Sequence, residues 1–132
     1  MSLHPAAPED LPALTAAYAQ TIQAISDLGH SLRPGDAERE TACPGWTVRD
    51  QFAHIVSLEA WVQGEEAPDV DLSDRPDVKQ GIGVIVERFL ASRRDRSLEE
   101  LLEELDFLAS SRVQHLQAES TSPEDAAAGP FG

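Results

Sequence analysis

The stretch from Ser97 to Leu116 constrains the fold more than any other part of the chain. Leu98, Leu101, Leu102, Leu105, Leu108, Val113 and Leu116 recur mostly at spacings of three and four. That period gathers apolar groups on one side of an α-helix. Ser97 supplies an N-cap and Glu100 completes a capping box. A helix with one apolar stripe is marginal alone in water and must bury the stripe on a partner. Three other segments offer one. The first spans Pro8 to Leu32, with Leu11, Leu14, Tyr18, Ile22, Ile25 and Leu28 in helical register. Pro12 is tolerated near its start, Gly29 is expected to fray its end, and Pro34-Gly35 stops it. The second opens at the N-cap Thr47, with Asp50 favouring the positive helix start and Val48, Phe52, Ile55, Val56 and Val62 on its apolar side. Gly64 closes it. The third begins near Asp77, with Gln80 in capping-box position and Val78, Ile82, Ile85, Phe89 and Leu90 on its buried side. Gly81 and Gly83 either weaken it, by about 1 kcal/mol each relative to Ala, or allow close helix–helix approach. Four amphipathic helices in so short a chain predict an all-α antiparallel four-helix bundle.

With 132 residues the chain is one domain or part of one. Residues 1–7 are expected to be a disordered tail and residues 8–132 the bundle, with loops at 35–45, 64–77 and 119–132. The 24 acidic residues against 10 Lys and Arg give a net charge of −14. That excess argues against nucleic acid, which needs a basic patch, and against an anionic membrane surface. No apolar run is long enough for a transmembrane helix, and Met1 to Asp10 lack the features of a signal peptide. A single cysteine rules out an intrachain disulfide framework and a cysteine-based zinc finger. The expectation is an acidic, soluble, cytoplasmic protein.

Chemistry concentrates in Cys43-Pro44-Gly45-Trp46-Thr47-Val48-Arg49-Asp50-Gln51-Phe52-Ala53-His54. Pro-Gly makes a tight turn, and Trp46, just before the cap, is placed to act as a hydrophobic staple. His54 follows about two turns into the helix, beside the apolar stripe, facing the bundle interior or its edge. Such a histidine is ordinarily a core-edge residue hydrogen-bonded to a carbonyl. A buried neutral imidazole with one free nitrogen is otherwise a good metal ligand and, less often, a general acid or base.

The sequence CPGWTVRDQFAH resembles the N-terminal helix signature of the mycothiol-dependent maleylpyruvate isomerase family, within the DinB-like superfamily of metal-binding four-helix bundles. The acidic linker after Gly64, the segment Asp77 to Leu90, Ser92-Arg93-Arg94 and the Leu-rich helix from Ser97 extend the resemblance over most of residues 8–132. It implies a DinB-like bundle holding a divalent metal, usually zinc, through three side chains and one open position. The signature histidine maps onto His54. The open position would take the thiolate of mycothiol or a similar small thiol as cosubstrate, for isomerisation of, or transfer to, an electrophilic small molecule. The two remaining family ligands, a Glu and a His four residues apart in a motif resembling W-V-H-E-x-D-I-R, have no match here. The chain stops at Gly132, after a Gly-Pro-Phe-Gly that resembles the loop preceding that later helix. The expectation is therefore a fragment of a longer protein, with a naturally short product as the alternative.

Other residues offer less. His4 lies in the tail. His30, at a helix end, complements the helix dipole. His115 shares a face with Leu101 and Leu108 and is the remaining candidate to join His54. Glu59 points away from His54. Cys43 lies near a helix N-terminus, where a thiol pKa can fall, without an adjacent histidine to serve as base. The acids of 65–77 lack EF-hand spacing, and Glu99, Glu100, Glu103 and Glu104 read as an exposed helix face. The rival to an enzyme is a non-catalytic helical module that dimerises or binds a partner through the Gly81/Gly83 surface or an uncovered groove. A homodimer with a composite site built from two copies of His54 combines the two.

Overall fold

A computed structural model of the chain describes residues 10–73 and 81–118. The expected disordered tail, the third-helix positions Asp77, Val78 and Gln80, and the expected C-terminal loop lie wholly or largely outside the described residues.

Among the described residues four α-helices form the fold: α1 Leu11–Ser31, α2 Val48–Val62, α3 Ile82–Ala91 and α4 Leu98–Gln117. Their starts follow from local chemistry. The Asp10 carboxylate accepts the Ala13 N–H at the start of α1, with proline in the first turn. Thr47 and Asp50 close a reciprocal capping box on α2, and Ser97 and Glu100 another on α4. Each box satisfies two backbone donors that a helix start otherwise leaves orphaned.

The third helix departs from expectation. Gly81 has φ +93° and ψ −149° and serves as its N-cap, so the helix starts at Ile82 rather than near Asp77. A backbone in that region cannot propagate a helix, and glycine reaches it without penalty. Ile82, expected inside, is more than half exposed, whereas Phe89 and Leu90 are buried as anticipated.

α4 packs on both α1 and α2, and α3 packs on α2. Tyr18 meets Glu59 and Ser26 meets Asp106, so α1 runs against α2 and α4. Ile22, Ala53, Val56, Leu90, Leu101 and Leu105 form the centre of the core. Fully burying each large aliphatic side chain contributes roughly 1.5–3 kcal/mol.

Two glycine expectations are also corrected. Gly29 does not fray α1. It is buried at a helix crossing, where an added Cβ would lie 2.6 Å from Leu102 Cδ2 and 3.1 Å from Phe52 Cε1. At Gly81 and Gly83 a Cβ would meet nothing within 4 Å among the described residues, so neither marks a close approach to them.

The acidic stretches are more engaged than their composition suggests. Arg93 is 2% exposed. Its Nε and Nη2 donate to the two oxygens of Glu104 at 3.1 and 2.9 Å, and Nη2 also donates to Glu65 at 2.8 Å. Its guanidinium lies 5.9 Å from the Phe89 ring centroid, and Arg96 adds a second cation on Glu104 at 2.6 Å. Glu104 is thus not part of a free solvated face, and Glu65 is not merely a linker charge. Burial pushes the Glu104 pKa up, but the hydrogen bond and charge of Arg93, with Arg96 behind it, outweigh that and hold the carboxyl below its usual range.

Candidate metal-ligand site around His54

The site begins with a turn. The Trp46 N–H donates to the Cys43 carbonyl at 3.1 Å, Pro44 occupies the first central position, and Gly45 has φ +80°. This is the combination a type II turn demands. Around it, the Thr41 N–H donates to the Trp46 carbonyl and the Val48 N–H to the Arg39 carbonyl, with an antiparallel bridge between Glu40 and Thr47. The Thr41 hydroxyl also donates to the Trp46 carbonyl at 2.9 Å and accepts from Gln51 Nε2 at 3.2 Å. The loop is therefore a small clasp that delivers Trp46 to the side of α2.

His54 stands one turn beyond Asp50 on α2. Its imidazole centroid is 5.1 Å from that of the Trp46 indole, with the ring planes inclined at 51°. His54 is half-buried, and burial pushes its pKa down, which favours the neutral ring at physiological pH. No hydrogen bond joins either of its ring nitrogens to another described residue. The ordinary role of a carbonyl-bonded core-edge histidine is thus absent among the described residues.

Two carboxylates neighbour this pair, and both are committed elsewhere. Asp50 accepts the Thr47 N–H with Oδ2 at 2.9 Å and faces Arg94 Nε with Oδ1 at 3.8 Å. Glu87 of α3, 7% exposed, accepts the Trp46 Nε1–H with Oε1 at 3.2 Å and the Arg94 Nη2–H with Oε2 at 3.4 Å. Sequence reasoning passed over Glu87. Its signal was a lone acid, beside Arg88, inside a helical segment that is otherwise apolar or glycine.

The remaining candidates do not gather at His54. Among the described residues no group of three or more His, Cys, Asp or Glu side chains is arranged to hold a metal ion. His30 donates from Nδ1 to the Ser26 carbonyl at 2.8 Å. His115 is exposed in the last turn of α4. Glu59 accepts the Tyr18 hydroxyl of α1 at 2.7 Å. The burial of Tyr18, together with that bond and the charge of Glu59, raises the phenol pKa far above its usual value. Cys43 is exposed in the turn, and His4 lies outside the described residues. The described residues thus do not make a complete metal site. Among them, no helix is long and apolar enough to cross a membrane.

No curated protein and no solved structure shows significant similarity to the chain. One family model matches it over residues 18–131, a span that takes in the clasp, His54 and all four helices from Tyr18 onward. With its all-α architecture, the chain belongs to the family of the mycothiol maleylpyruvate isomerase N-terminal domain.

Proposed function

We propose that this chain is a domain for small-thiol chemistry in which His54 provides one ligand to a divalent metal, zinc being the natural choice for a nitrogen donor in this setting. The thiol is mycothiol or a close analogue, and the other substrate is a small electrophile that is isomerised or receives the thiol. The observation that carries the reading is the state of His54. It is desolvated, inclined to neutrality, and unbonded at both nitrogens among the described residues. A metal ligand must present such a lone pair. A bound divalent ion would lower the pKa of a coordinated thiol and so supply a nucleophile near neutral pH. The remaining ligands come from outside the described residues. Asp50 and Glu87 are excluded from that role by their bonds to Thr47, Trp46 and Arg94. A cytoplasmic setting fits a thiol-dependent function and a single unpaired cysteine.

The test is zinc binding by the purified chain, beside His54→Ala, with helicity followed by circular dichroism. The expected result is tighter zinc binding by the parent at equal helicity. Equal zinc binding by the two proteins overturns the role of His54.

A further inference from the structure

A ligating histidine is ordinarily oriented by a hydrogen bond from its second ring nitrogen to a carboxylate or carbonyl. His54 has no such bond among the described residues, and what abuts it instead is the Trp46 indole at 5.1 Å. The indole is itself fixed at both ends. Its backbone is gripped by the turn and by Thr41, and its Nε1–H is gripped by a nearly buried carboxylate on a different helix. That carboxylate, Glu87, is steadied by Arg94, which in turn faces the capping residue of the helix that carries His54. A closed chain of contacts thus runs from the start of α2 through Arg94, Glu87 and Trp46 back to His54. We propose that Glu87 is a positioning residue for His54: by accepting the indole N–H it holds the Trp46 ring against the imidazole and thereby sets the direction of the imidazole nitrogens.

The importance of this arrangement rests on the ligand role argued above, but its test does not. In metal-free protein labelled at histidine ring carbons, the His54 ring signal is the one missing from His54→Ala. The Trp46 ring current displaces that signal from the position of a solvent-exposed histidine. Glu87→Ala loses the displacement. Glu87→Gln, whose amide oxygen still accepts the indole N–H, retains it. Helicity of the variants matches the parent. Retention of the displacement in Glu87→Ala overturns the proposal. So does its loss in both variants, since the charge facing Arg94 would then matter and the bond to Trp46 would not. If Glu87→Ala fails to fold, Glu87→Asp decides the point. Its carboxylate, one methylene shorter, falls short of the indole, and the displacement must disappear; its persistence overturns the proposal. A zinc titration of the same variants separates the two ideas. Failure of His54 to bind zinc removes the ligand role and leaves the ring-current result standing on its own.

Discussion

At the scale of single residues, two glycines within helices have opposite meanings. Gly29 is where α1 meets Leu102 and Phe52, and a methyl group there has no room. Overpacking a filled core costs about 1–3 kcal/mol, against a helix-propensity gain near 1 kcal/mol for replacing glycine by alanine. Gly29→Ala should therefore destabilise the protein by about 1 kcal/mol. Gly83 sits in the first turn of α3 with open space around it. Gly83→Ala should stabilise by roughly 0.5 kcal/mol, chiefly by restricting the unfolded chain. Urea midpoints displaced in opposite directions check the pair, and equal displacements refute it. The sequence led the other way, with Gly29 read as a frayed end and Gly81/Gly83 as one possible contact surface. The physical reason is distance along the chain. Nothing near Gly29 in sequence reveals Leu102, whereas a positive-φ turn such as Pro44-Gly45 is announced by its own dipeptide.

At the scale of elements, what is local was legible. Thr47 as an N-cap and Ser97 with Glu100 as a capping box were visible because caps involve residues close in sequence, although the reciprocal bond of Asp50 to Thr47 was not read. The stripes on α2 and α4 were legible for the same reason, whereas Leu14 and Leu28 of the expected α1 stripe are exposed. The start of α3 was not, because a plausible box at Asp77 and Gln80 competed with the breaker at Gly81. The two observed boxes give a direct expectation. Ser97→Ala and Thr47→Ala should each cost about 1 kcal/mol, and Ser97→Gly only a few tenths. Thermal melts of the three variants check this. The Thr47 variant loses only the bond from the Asp50 N–H to the Thr47 hydroxyl, because the backbone N–H of residue 47 still donates to the Asp50 carboxylate that faces Arg94. His54 was singled out from its neighbours in sequence, but the indole beside it is held by Glu87 of α3, a helix that the sequence does not place in space.

At the scale of the whole molecule, Arg93 determines how stability responds to acid. It is the largest fully buried side chain, and its carboxylate partners come from the linker and from α4. Because Glu104 titrates below its usual range when folded, the unfolded chain takes up that proton first as the pH falls. The stabilisation is complete above the ordinary glutamate value of 4.5 and is lost as the pH drops below it through the folded-state value. Arg93→Met should therefore destabilise the protein at neutral pH and flatten the loss of stability as the pH falls from neutral to below 4.5. Stranding a fully buried partner costs about 3–5 kcal/mol, and the partial exposure of both carboxylates here brings the expectation to about 2–3 kcal/mol. Urea unfolding across that range is the measurement, and a variant with the parent's acid profile would refute the role. None of this was visible in the sequence, where Glu65 and Glu104 sat among other acids and looked solvated. An ion pair across elements leaves no periodic trace.

The same arginine has a topological consequence. A disulfide confines a chain by closing a loop, and with a single cysteine this chain can form none within itself. One guanidinium holding carboxylates at positions 65 and 104 draws the linker and α4 together in the folded state alone, without restricting the unfolded chain as a disulfide would. It is a crosslink that forms without an oxidant, opens without a reductant, and yields to acid.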